Sequence, residues 1–162
     1  VDAIVSARKL YIIGVRSCAA MATFMSFYFN LIFDNVVKVS ATTASEVFES
    51  LLRVGEGDVV IGVSFPRYSS RTVQAMNFAR SRGATTIAIT DSEVSPLSPI
   101  STYTLKARSD MASFVDSLVA PLSLINALLV AVSRKKNDDL ANTFEDLEKI
   151  WEEYGVYEKV QE

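Results

Sequence analysis

The chain has 162 residues, 49% of them hydrophobic, which is enough for one sizeable core and short for two. Its formal net charge of -3 leaves no overall basic face for nucleic acid, and the absence of histidine excludes Ser-His-Asp and Cys-His nucleophilic centres. A single cysteine, Cys18, can make neither an internal disulfide nor a zinc site of the usual type, and no signal peptide opens the chain, so a reducing cytoplasm is the expected setting.

The first residues, VDAIVSARK, have helical spacing but no cap and no starting methionine, and we expect the sequence to be cut from something longer. LYIIG at 10–14 is a short run of β type ended by Gly14. The apolar segment from Ser17 to Phe33 is so long that it requires a helix. The alternation then repeats. VVKVS at 36–40 predicts a strand, TASEVFESLLRV at 43–54 an amphipathic helix, DVVIGVSF at 58–65 a strand, and SRTVQAMNFARSR at 70–82 a helix ended by Gly83. TTIAIT at 85–90 is a further strand, and Ser95-Pro96-Leu97 reads as a cap followed by proline, a short helical piece. TYTLKA at 102–107 gives a fifth strand, Phe114–Ser133 a long helix, and Asp138–Tyr154 a closing helix in an acidic, solvated tail. The apolar run from Leu118 to Val132 resembles a membrane span. However, it is shorter than the roughly 20 residues a span needs, and Pro121, Ser123 and Asn126 interrupt it. It reads as a helix buried in protein, and no membrane is expected as a partner.

Strands of continuous apolar character alternating with helices belong to a parallel sheet covered on both faces. The expected fold is therefore α/β, a three-layer α/β/α sandwich with a five-stranded parallel sheet, forming a single domain over residues 1–162. Two helices, 17–33 and 114–133, are apolar nearly all round, and a single small domain has little interior to hide both; a symmetric homodimer is expected to cover part of them, the alternative being that both are simply central helices over the sheet.

In such a sheet, ligands bind outside the carboxyl ends of the strands, near the point where the strand order reverses. Gly14-Val15-Arg16-Ser17-Cys18 follows the first strand, and Ser64-Phe65-Pro66-Arg67-Tyr68-Ser69-Ser70 follows the third. Helix N-termini offer unpaired N–H groups and a positive dipole end, and hydroxyls add short donors, so Ser64, Ser69 and Ser70 suit a phosphate. Ser69 or Ser70 also suits the plain role of N-cap, and the two roles are compatible. Arg16 and Arg67 are placed to add charge to an anionic ligand, and fit exposed surface arginines equally well. Cys18 reads as a small packed residue rather than a reactive thiol. The first loop lacks the second and third glycines of a dinucleotide fingerprint and no P-loop is present, so no cofactor and no metal are expected.

The order LYIIGVRSC, then DVVIGVSFPRYSSRTVQAMNFARSRGATTIAITDSEVSPLSP, resembles the SIS (sugar isomerase) domain, and specifically the effector domain of RpiR/MurR-type bacterial transcriptional regulators, over roughly residues 3 to 135. The resemblance implies the SIS fold of flavodoxin-like topology, a dimer, and a sugar-phosphate ligand held by the loops after strands one and three. It matches Ser64 to the first serine of the family's phosphate loop and Ser69 or Ser70 to the serine or threonine at the helix start. Many members read Gly-x-Gly-x-Ser in the first loop. Here the second glycine is Arg16 and the serine position is Cys18, with Ser17 beside it. Regulators of this kind carry an N-terminal helix-turn-helix domain, which would be absent from this sequence and through which alone DNA would be bound. The resemblance thus implies a phosphosugar-sensing module rather than an enzyme. The alternatives are an aldose–ketose phosphosugar isomerase and a dimerisation module without ligand. An isomerase needs a positioned acid and base, for which Glu46, Glu49 and Glu93 are the glutamates near plausible loops, and the first two read as solvent-facing.

Overall fold

A computed structural model describes residues 1–110 and 114–157, and for residues 137–142 the backbone alone. Five strands form one parallel sheet: β1 (Leu10–Gly14), β2 (Val36–Lys38), β3 (Val59–Val63), β4 (Thr85–Thr90) and β5 (Tyr103–Lys106), in the order β2-β1-β3-β4-β5. The helices are α1 (Asp2–Val5), α2 (Cys18–Ile32), α3 (Ala44–Ser50), α4 (Ser70–Ser81), α5 (Val119–Lys135) and α6 (Asn137–Glu153), with a 3₁₀ turn at Ser98–Ile100.

Every residue of β1 and β3 is buried, which is why these strands read as unbroken apolar runs rather than as alternations. Their side chains still point to opposite faces in turn. Leu10 and Ile12 of β1 join one core with Met21, Met25 and Phe29 of α2 and Ile125 and Val132 of α5. Tyr11 and Ile13 join the other, with Val47 of α3 and Ala75, Met76 and Ala79 of α4. The three-layer sandwich is thus two cores divided by one sheet. Among the described residues, no helix is long and apolar enough to cross a membrane.

The strand order reverses between β1 and β3. From β1 the chain steps outward to β2, then returns past β1 to β3 and continues to the opposite edge. Gly14 lies beside Val63, and Val63 beside Ile89, so these strands release their loops along one edge. At the amino ends of β1 and β3, Arg8 donates from Nε to Asp58 Oδ1 at 3.0 Å and from Nη2 to Oδ2 at 2.7 Å. The Asp58 side chain is fully buried and also accepts the Gly55 N–H at 2.9 Å, so a buried carboxylate has its charge paired and its oxygens hydrogen-bonded.

Several element limits differ from the sequence expectations. The second strand ends at Lys38 rather than Ser40. The helix expected over 43–54 occupies Ala44–Ser50, capped by Thr43 in a reciprocal capping box with Glu46. Leu51 and Val54 keep the apolar spacing because they are buried from the turns that follow the helix. The helix expected from Phe114 begins at Val119, with Pro121 in its first turn, where a missing N–H costs nothing. Residues 143–153 of α6 are mostly exposed, in keeping with the solvated acidic tail.

Candidate functional site

Gly14 sets the geometry of the first loop. A Cβ there would run into the Cys18 carbonyl group and come within 3.1 Å of the Ala22 Cβ, so the absent side chain lets the start of α2 lie directly against the end of β1. Arg16, two residues on, has φ 58°, and Arg67 in the loop after β3 has φ 64°. They are the two non-glycine residues with positive φ among those described, a conformation that costs an L-residue roughly 1–2 kcal/mol. The resemblance noted in the sequence puts a glycine at the position of Arg16; the backbone here has a φ that favours glycine, while the side chain adds a guanidinium.

The loop after β3 is held from below by Ser64. Its side chain is 2% exposed, its N–H donates to the Ile89 carbonyl at 3.1 Å, and its Oγ accepts the Ser69 N–H at 3.1 Å. Ser69 is the N-cap of α4, its Oγ accepting the Thr72 N–H at 3.4 Å. The residues between are fixed from the side by Tyr68, whose hydroxyl donates to Asp91 Oδ1 at 2.7 Å. Partial burial of Asp91 works to raise its pKa. The hydrogen bonds it accepts, that of Tyr68 foremost, outweigh this and hold the carboxyl below its ordinary value. Arg71, in the first turn of α4, donates to the carbonyls of Ala41 and Thr42 at 2.8 and 3.0 Å and ties the helix to the loop after β2.

These loops enclose a cavity of about 230 Å³ at the switch point. Arg16, Ser17, Cys18, Ser64, Arg67 and Ser69, six of the residues singled out in the sequence, line it. Ser70 does not: it is the exposed first residue of α4, so the cavity takes the capping serine and leaves its neighbour outside. Ser17 and Cys18 stand at the start of α2 and Ser69 at the start of α4, so two helix N-termini converge on one space with two guanidiniums and three serine hydroxyls. Cys18 is 7% exposed, and burial pushes its thiol up from the ordinary value against a lowering contact with the Phe65 backbone. That is the environment of a packing residue.

Two further lining residues, Phe114 and Asp116, had no place in the sequence reading of the site. Both lie in the segment expected to be the start of the long helix, and both precede that helix in the fold. Asp116 accepts the Ser17 hydroxyl at 3.0 Å. Glu46 and Glu93 lie elsewhere. Glu46 accepts the Ser40 hydroxyl at 2.8 Å and closes the cap of α3, and Glu93 pairs with Lys106 at 2.7 Å. No group of three or more acids and cysteines that could hold a metal occurs among the described residues.

A doubly wound parallel sheet whose switch-point cavity carries hydroxyls, arginines and two helix N-termini defines a flavodoxin-like α/β domain with the chemistry of an anion site. The chain belongs to the SIS domain family, which matches residues 3–131. It is 27% identical over 153 residues to an uncharacterized HTH-type transcriptional regulator of Caldanaerobacter subterraneus subsp. tengcongensis, covering 92% of this chain and 54% of that protein. The chain therefore spans about half the length of the curated relative it matches. Among solved structures it is similar to the sugar isomerase domain of an RpiR transcription factor from Sphaerobacter thermophilus, with 27% identity, a TM-score of 0.80, and coverage of 91% of this chain and 82% of that one. The fold is also that of the Vibrio vulnificus NanR protein complexed with ManNAc-6P, at 17% identity and a TM-score of 0.81, covering 98% of this chain and 60% of that one. Proteins described as putative phosphosugar isomerases share the fold as well.

Proposed function

We propose that this SIS domain is the phosphosugar-sensing module of a transcriptional regulator of the RpiR type, binding a sugar phosphate to bias the DNA binding of an attached helix-turn-helix domain in the cytoplasm. The observation that carries this reading is the convergence of Ser64, Ser69, Arg16 and Arg67 with two helix N-termini on one cavity at the switch point. The helix-turn-helix relative and the ManNAc-6P complex of NanR support it. A phosphate seated against Ser69 and Ser64 engages the loop after β3, while Arg16 and Ser17 reach it from the loop after β1. The ligand then favours whichever arrangement of the two loops closes around it, which is the differential affinity a switch requires.

The same cavity supports sensing over isomerisation. Aldose–ketose exchange needs a positioned acid and base. Among the described residues the cavity offers one carboxylate, Asp116, which already accepts from Ser17, and the glutamates considered from sequence lie outside it. A homodimer is part of the reading. Phe27 and Tyr28 of α2, Val130 of α5, and Phe144 and Ile150 of α6 are exposed apolar side chains, of the kind that a second copy would cover.

The test is a thermal-shift and calorimetric panel of pentose, hexose and amino-sugar phosphates. At least one should stabilise the protein, and Ser64→Ala should weaken it about tenfold or more by removing a donor and the anchor of the Ser69 N–H. Unchanged affinity in Ser64→Ala would sink the assignment of this loop, and turnover of a bound sugar phosphate would replace the sensor with an enzyme.

A further inference from the structure

The two walls of the cavity differ in chemistry. On the wall made by β3 and α4 stand Ser64, Arg67 and Ser69, all hydrogen-bond donors by hydroxyl or guanidinium. On the other wall, contributed by the segment before α5, stand Phe114 and Asp116. Among the described residues lining the cavity, Asp116 is the one carboxylate, and it is half-buried. A carboxylate accepts at about four lone-pair sites, and the Ser17 hydroxyl at 3.0 Å engages one of them on Oδ2. A phosphate beside Asp116 would meet a like charge, whereas a hydroxyl or an ammonium would meet an acceptor. Phe114 is 87% exposed at the same rim, so its ring presents an apolar face to whatever lies between the walls. The cavity therefore has a direction: anion against the serines and arginines, hydrogen-bond donors and a carbon skeleton against Asp116 and Phe114.

We infer that Asp116 is the specificity-determining residue of this cavity, accepting hydrogen bonds from the hydroxyl or amine groups of a sugar phosphate whose phosphate lies on the Ser64–Ser69 wall. The inference rests on the phosphosugar reading of the site and adds to it the group that separates a sugar phosphate from a bare anion. Ser17 couples the two halves, since it immediately precedes α2 on the anion side and donates to Asp116. A charge-assisted hydrogen bond lost at such a site weakens binding about tenfold to a hundredfold.

The experiment compares inorganic phosphate with a panel of glucose 6-phosphate, fructose 6-phosphate, glucosamine 6-phosphate and pentose 5-phosphates on the full chain, by calorimetry and by competition. Asp116→Ala should weaken the tightest sugar phosphate about tenfold to a hundredfold while leaving the affinity for inorganic phosphate unchanged or improved. Asp116→Asn, which keeps one acceptor, should fall between. Ser64→Ala should weaken both kinds of probe. If Asp116→Ala weakens inorganic phosphate and sugar phosphate by the same factor, the residue only positions Ser17 and the inference is overturned while the phosphate site stands. If it changes neither, the inference fails in the same way. Refusal of every probe by the unaltered chain overturns the site reading and this inference together.

Discussion

Gly14→Ala puts the close approach of α2 to β1 under direct load. A methyl group at this position would meet the Cys18 carbonyl carbon at 2.9 Å and the Ala22 Cβ at 3.1 Å, against ordinary carbon contacts of about 3.5–4.0 Å. The obstructing atoms are backbone, so relief comes only by moving the first turn of α2 away from the sheet by roughly 0.6–1 Å. Overpacking of this kind costs about 1–3 kcal/mol, and the stiffer unfolded chain of the alanine variant returns about 0.4–1 kcal/mol. The net loss of about 1–2 kcal/mol lowers the melting temperature of a domain of this size by about 2–8 °C. Because Ser17 and Cys18 ride on that turn, sugar-phosphate affinity should fall with it. Gly62→Ala is the control: its methyl would meet the Met76 sulfur at 2.7 Å, a flexible thioether that can swing aside, so the variant should lose less stability and keep its affinity. Scanning calorimetry with ligand titration reads both quantities. A Gly14→Ala protein that melts at or above the unaltered temperature, or a Gly62→Ala protein that loses more, refutes the packing argument.

The remaining tests concern the loops. Arg16→Gly relieves a positive φ, worth roughly 1–2 kcal/mol, against the added freedom of glycine in the unfolded chain, so stability should be equal to about 1 kcal/mol higher, while anion affinity drops. A loss of stability by urea titration would show that the Arg16 side chain holds the fold. Tyr68→Phe removes the hydrogen bond to Asp91 and should cost about 1 kcal/mol in urea unfolding at neutral pH. The Asp91 carboxyl is held below its ordinary value, so this contribution is fully present above the ordinary aspartate pKa of about 3.9 and is lost as pH falls through the lower folded value. The difference between Tyr68→Phe and the unaltered chain should therefore shrink in acid, and a difference that grows there would contradict the assignment. Cys18 should react with iodoacetamide near pH 8 far more slowly in the folded chain than in urea, since burial suppresses its thiolate; equal rates would mean that the start of α2 opens readily.

The sheet was legible because burial on both faces leaves no ambiguity about apolar runs such as DVVIGV, and because hydroxyl-rich loops after the strands mark the edge that faces solvent. Ser64, with its buried oxygen anchoring the Ser69 N–H, follows from that logic. The Asp116 wall does not. Phe114 and Val115 extend the apolar run of α5 backward, and periodicity has no means of telling a helix from an irregular segment that covers a cavity with the same residue types. The available signal was Pro121, which suits the first turn of a helix and so places the start near Val119. The positive φ of Arg67 was beyond reach for another reason: arginine carries no conformational mark of its own, and only the enclosing loop imposes the angle, whereas at Arg16 the resemblance to a Gly-x-Gly-x-Ser loop was the available signal.

The Arg8–Asp58 pair lies at the beginning of β1 and β3, and the cavity lies at their far ends. Five residues at about 3.3 Å each separate the two by about 16 Å, beyond the roughly 7–10 Å within which substitutions interfere. The domain therefore offers an engineer two independent dials. The robustness of the domain can be reset at the Arg8–Asp58 end, while the chemistry of the cavity is rewritten at the other, with neither change needing to be corrected for the other.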